Sequence, residues 1–139
     1  MDRLHKLSEW MKETDTQLCL LTSTESVFYL SSFYSDPHER LLGVAVFQEA
    51  DPFLICPAME KEDAKRSGWA HEIIGYSDIE NPWELVQKAV AKRHPQISKI
   101  GIEKEHMNVE RYEELSKIFT NATFVSAEEK LRKLRMVKD

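Results

Sequence analysis

Few side chains in this sequence sit at spacings that support bond-making chemistry. Five histidines, His5, His38, His71, His94 and His106, offer metal-binding nitrogens. No two are four residues apart, the spacing that puts both ligands on one helical face. His71-Glu72 opens like a zinc-protease motif, but Gly75 stands where the second histidine belongs. The two cysteines, Cys19 and Cys56, lie in apolar runs and read as buried core thiols rather than ligands or nucleophiles. There is no Gly-x-Ser-x-Gly elbow. With only four glycines, no phosphate-cradling loop can be drawn. One segment concentrates what chemistry there is. Phe33-Tyr34-Ser35-Asp36-Pro37-His38-Glu39-Arg40 holds two aromatics, a histidine, two carboxylates and an arginine. It reads as a turn, because Pro37 removes a backbone donor, and loops at strand ends are where binding residues gather. The plainer alternative is a solvated turn whose surface ion pairs contribute roughly 0–1 kcal/mol each.

The elements that hold this segment follow from periodicity. Asp2 can cap a helix with Leu4, Leu7, Trp10 and Met11 on one face. Residues 17–22 read as a short buried strand. Ser23 or Thr24 can cap a short helix carrying Val27, Phe28 and Leu30, with Phe33 a candidate for its end. After the polar segment, Leu41–Phe47 and Phe53–Cys56 form two apolar runs joined by a short turn, an antiparallel hairpin. Glu60–Arg66 reads as a surface helix and 71–76 as a strand. Asn81-Pro82-Trp83-Glu84 is a helix start whose buried stripe is Leu85, Val86, Ala89 and Val90, ending at Pro95. Residues 99–103 make another strand. Asn108 caps a helix with Val109, Tyr112, Leu115 and Phe119 at helical spacing. A last strand, 122–125, precedes a helix opened by a Ser126/Glu129 capping box and carrying Leu131 and Leu134. About six helices alternating with five or six strands imply one α/β domain, a mixed sheet with helices on both faces.

Composition sets the outer limits. The chain has 139 residues, 42% hydrophobic and 31% charged, the profile of one globular domain. A net charge of −5 with mixed signs lacks the concentrated basic face that nucleic acid requires. No run approaches the ~20 apolar residues of a membrane span. The charged, amphipathic first dozen residues are unlike a secretory leader, so the default location is cytoplasmic. Asn121-Ala122-Thr123 fits the glycosylation pattern and reads as a chance match in that setting.

Around the polar segment the sequence resembles a known family. Thr22-Ser23-Thr24-Glu25-Ser26-Val27-Phe28-Tyr29-Leu30-Ser31-Ser32-Phe33 is similar to the N-(I/V)-x-Y-L-(T/S)-G-F stretch of the creatinase/prolidase N-terminal domain. Five further pieces follow in the family's order. They are Glu39-Arg40 before an apolar strand, Phe53-Leu54-Ile55-Cys56-Pro57-Ala58-Met59-Glu60, Tyr76-Ser77-Asp78, Ile100-Gly101-Ile102-Glu103 and Leu134-Arg135-Met136-Val137-Lys138. Two positions depart: Ser26 stands for the family's Asn, and Ser32 for its Gly. Glycine there permits a backbone geometry or close approach that serine resists.

The resemblance implies a ribonuclease H-like fold over residues 1–139 and a place ahead of a pita-bread catalytic domain that this chain does not contain. In that family the metal ligands, two Asp, one His and two Glu, belong to the later domain. Dinuclear manganese, cobalt or zinc is therefore expected there, and neither metal nor catalytic residue in this chain. The implied activity of the whole is hydrolysis of Xaa-Pro peptide bonds by a dipeptidase or aminopeptidase. The implied partners are the chain's own C-terminal catalytic domain, a second copy in a homodimer, and a proline-containing peptide. For such a substrate the candidate cleft residues are Phe33, Tyr34, Asp36, His38 and Arg40. Arg40 would pair with a carboxylate in a bidentate fork, and an aromatic ring would meet the proline. A stand-alone binding module of the same fold and the N-terminal domain of a creatinase-like amidinohydrolase are the alternatives, since fold alone does not fix chemistry.

Overall fold

The computed structural model describes residues 2–137. Met1, Lys138 and Asp139, and with Lys138 the end of the Leu134–Lys138 motif, lie outside the described residues. The elements run α1 (Arg3–Glu13), β1 (Leu18–Leu21), α2 (Thr24–Ser31), β2 (Gly43–Phe47), β3 (Phe53–Pro57), a 3-10 turn (Ala58–Glu60), α3 (Lys61–Arg66), β4 (Glu72–Tyr76), α4 (Pro82–Arg93), β5 (Lys99–Ile102), α5 (Val109–Ile118), β6 (Thr123–Ser126) and α6 (Glu128–Met136). The strands form one mixed sheet in the order β4-β3-β2-β1-β5-β6. β2 is antiparallel to both its neighbours, and the other pairings are parallel.

The apolar strands are buried on both faces, which is why they read as continuous runs rather than alternations. Cys19 and Leu21 of β1 pack with α1, α2 and α6 on one face. Leu18 and Leu20 pack with α4 and α5 on the other. β2 and β3 divide the same way, Val44, Val46, Leu54 and Cys56 against Ala45, Phe47, Phe53 and Ile55. Gly101 lets β5 approach β1 closely: a Cβ there would lie 2.7 Å from Cys19 Sγ.

Local signals place the helices. The side chains of Asp2, Ser23, Asn81 and Asn108 each accept a backbone N–H of the first turn that follows. Ser32 ends α2 in the left-handed conformation, φ +66°. The chain thus keeps the turn that favours glycine while carrying serine.

Four expectations need correction. The strand expected over Leu41–Phe47 begins at Gly43, because Tyr76 Oη donates to the Leu41 carbonyl at 2.7 Å instead. Leu41 and Leu42 remain buried. Phe28 is turned from the core and meets Tyr34 edge-on, because Val27, Leu30 and Ser31 take the inner face of this two-turn helix. On α5 only Leu115 is fully buried, while Val109 and Tyr112 stay exposed beside the edge strand β6. The Ser126/Glu129 capping box does not form. Strand pairing runs on to Ala127, whose N–H donates to the Ile102 carbonyl at 2.9 Å, so α6 starts later with no side-chain cap.

One buried carboxylate ties these elements together. Glu103, at the end of β5, accepts from the backbone N–H groups of Thr22 and Ser23, both at 2.9 Å. It also accepts from Ser23 Oγ at 2.6 Å and Ser26 Oγ at 2.7 Å. Arg135 of α6 donates in turn to Ser26 Oγ at 3.1 Å.

Three outcomes follow. Glu103→Ala strands several buried donors and should cost about 3 kcal/mol or more in urea unfolding. A loss below about 1 kcal/mol would show that water replaces the carboxylate without penalty. Ser32→Gly relieves a left-handed serine and should raise stability by about 1 kcal/mol at most, visible as a higher Tm. Burial pushes the thiols of Cys19 and Cys56 up to about 12, so iodoacetamide at pH 8 should label neither until urea unfolds the chain.

Candidate functional site

The segment singled out by its chemistry is a tether between two buried anchors. Phe33 is 5% exposed and packs in the core with α1 and α2, and Leu41 is buried at the other end. Phe33 is therefore no ligand-facing ring: its apolar surface is spent holding the loop's start. Tyr34 is the exposed aromatic, at 68%.

Between the anchors the backbone folds on itself. Asp36 Oδ1 accepts the His38 N–H at 3.3 Å, the Pro37 carbonyl accepts the Arg40 N–H at 3.2 Å, and His38 sits at φ +61°. This is the side-chain-to-backbone turn that Asp favours and a left-handed position that His tolerates better than most residues. Ser35 Oγ donates to Glu60 at the end of the 3-10 turn. Asp36, His38, Glu39 and Arg40 all remain exposed.

Two other elements grip the loop's end. Asp78, just past β4, accepts from Arg40 Nη2 at 2.9 Å, with the side chains 83% and 42% exposed respectively. Arg111 of α5 donates through Nη2 to the carbonyls of Glu39, at 3.3 Å, and Arg40, at 3.1 Å. Local sequence gave no sign of Arg111, which is 71 residues from Arg40. Asp78 was visible only as the last member of the Tyr76-Ser77-Asp78 triplet.

The loop forms one wall of a cleft of about 190 Å³. Topology makes the cleft. β1 and β5 are parallel neighbours, but α2 leaves β1 toward one face while α5 leaves β5 toward the other. The crevice opens at the strands' carboxyl ends, the usual ligand position in open α/β sheets. Thr22 lies there with Asp36, His38, Arg40, His106 and Arg111. Thr22 Oγ1 is buried with no hydrogen-bond partner among the described residues. Asp36, His38 and Arg40 are thus brought together, while Phe33 and Tyr34 do not line the cleft.

The cleft can recognise charge but holds no nucleophile paired with a base. Among the described residues no group of three or more His, Cys, Asp or Glu is arranged to hold a metal. The metal pair that the family resemblance implies therefore does not fit these side chains. A larger hollow, about 620 Å³, lies elsewhere, between α5 and β6, with Met107, Val109 and Phe124 in its lining. No helix among the described residues is long and apolar enough to cross a membrane.

Comparison with known proteins matches this arrangement to a family. YkvY of Bacillus subtilis (strain 168), whose name assigns it provisionally to the dipeptidases, is 47% identical over 139 residues, all of this chain and 38% of that protein. The Xaa-Pro dipeptidase of Lactobacillus helveticus is 36% identical over 123 residues, 88% of this chain and 33% of that one. This chain thus spans between 33% and 38% of the length of these curated relatives. The solved N-terminal domain of the Lactobacillus brevis Xaa-Pro dipeptidase superposes with a TM-score of 0.90 at 33% identity, covering 94% of this chain and 98% of that one. The model of the creatinase/prolidase N-terminal domain matches residues 3–137, and with the six-stranded α/β fold in place this chain belongs to that family.

Proposed function

We propose that this chain is the non-catalytic N-terminal domain of an Xaa-Pro dipeptidase, and that its Asp36–Arg40 loop walls the substrate cleft. The carrying observation is a mismatch of length and chemistry. The chain aligns end to end with a relative more than twice as long, yet the cleft beside its Asp36–Arg40 loop offers recognition groups and, among the described residues, no metal-holding cluster. In this reading the rest of the protein supplies the hydrolytic centre with its metal pair of manganese, cobalt or zinc. The domain supplies contacts in a cytoplasmic homodimer, and its loop meets a peptide bound at its own or its partner's catalytic centre.

Arg40 is the residue best placed for that contact. A dipeptide ending in proline presents a carboxylate, and a guanidinium can meet it with parallel hydrogen bonds. Asp78 engages Nη2 at 2.9 Å and Met59 Sδ accepts from Nη1 at 3.9 Å, a weak thioether contact that an incoming carboxylate can displace. The Arg40–Asp78 pair is exposed, so it contributes little to stability and yields readily to a second carboxylate.

Arg40→Ala in the full-length protein should raise KM for Xaa-Pro dipeptides by about tenfold or more, the order of one charge-assisted hydrogen bond. The melting temperature of the isolated domain should barely change. Steady-state kinetics with unaltered KM and kcat would remove Arg40, and with it the cleft-wall reading.

A further inference from the structure

Arg40 is gripped at both ends, and the two grips differ in kind. Asp78 holds the guanidinium through an ion pair exposed to solvent, an interaction weakened by salt and by competition from any other carboxylate. Arg111 holds the backbone. Its Nη2 donates to the carbonyls of Glu39 and Arg40, both uncharged acceptors, so this contact does not compete with a ligand for charge.

Arg111 is itself firmly placed. It lies in the first turn of α5, where its own N–H donates to the capping Asn108 Oδ1 at 2.9 Å. α5 is docked on the sheet by the fully buried Leu115. On the far side of Arg40, the buried Tyr76 Oη donates to the Leu41 carbonyl at 2.7 Å. The carbonyls of residues 39, 40 and 41 are therefore held in succession by side chains from α5 and β4. That succession fixes where the Arg40 side chain leaves the backbone. Without it, the exposed segment from Tyr34 to Arg40 would have to find its bound shape on meeting a ligand, at an entropic cost.

We infer that Arg111 is a positioning residue for the substrate-facing loop: it presets the Glu39–Arg40 backbone so that Arg40 presents its guanidinium to a peptide carboxylate. This rests on the proposed role of the loop. Arg111 touches no substrate in this account and acts through Arg40 alone.

The test is a double-mutant cycle in the full-length protein, with Xaa-Pro dipeptides as substrate, read against hydrogen exchange of the isolated domain. Arg111→Ala should speed amide exchange in the 38–41 segment while leaving exchange in the sheet unchanged. It should raise KM about fivefold with kcat within about twofold, as loss of preorganised binding does. Added to Arg40→Ala it should raise KM no further, because a residue acting through Arg40 has nothing left to act on. Arg111→Lys should recover part of the loss, since an ammonium can reach a carbonyl but lacks the planar fork. If Arg40→Ala raises KM and Arg111→Ala does not, or if the two effects multiply, the positioning role is overturned and the cleft-wall reading stands. If neither changes KM, both fall.

Discussion

A carboxylate taken out of water must find donors to replace the ones it leaves, and Glu103 finds four. Those donors all lie within residues 22–26, while Glu103 itself ends β5. One side chain therefore sets how far the start of α2 stands from the end of its neighbouring parallel strand. Through Ser26 the same network reaches Arg135, and Tyr29 Oη adds a second contact by donating to the Leu134 carbonyl of α6. The first and last thirds of the chain are thus joined at one point beside the cleft. The departure at Ser26 from the family's Asn makes sense in this light. Its hydroxyl donates to Glu103 and accepts from Arg135, so a short polar side chain bridges the two.

The cleft depends on that spacing. Its floor is Thr22, just past β1, whose own N–H Glu103 holds. Its flanks are the loop on one side and the start of α5 on the other. The two helices beside it diverge because the sheet is covered on both faces, and this in turn follows from strands that are apolar on both sides. Burial of the sheet, divergence of the helices and opening of the crevice are one physical arrangement.

The loop combines two properties that usually oppose each other. Its charged side chains face solvent, while its backbone is tied by hydrogen bonds to side chains of β4 and α5 and to a neighbouring loop residue. His38 within it and Ser32 just before it are both left-handed. Such strain persists only where neighbours fix the geometry, which suits a segment that must keep one shape while exposed.

The sequence by itself determined the order of the elements, the helix caps at Asp2, Ser23, Asn81 and Asn108, the burial of both cysteines and the strands covered on both faces. These follow from local rules: a capping oxygen reaches an N–H two or three residues on, and apolar runs seek the interior. It also marked Asp36, His38 and Arg40 by composition alone. Only the tertiary structure decided that Phe33 is an anchor, that Val109 and Tyr112 lie outside the core, and that the Ser126/Glu129 box yields to strand pairing. It alone placed Asp78 and Arg111 on Arg40 and gave Glu103 its donors. Each of these depends on groups distant in sequence meeting across the fold, and residue type at one position carries no record of what will stand opposite it.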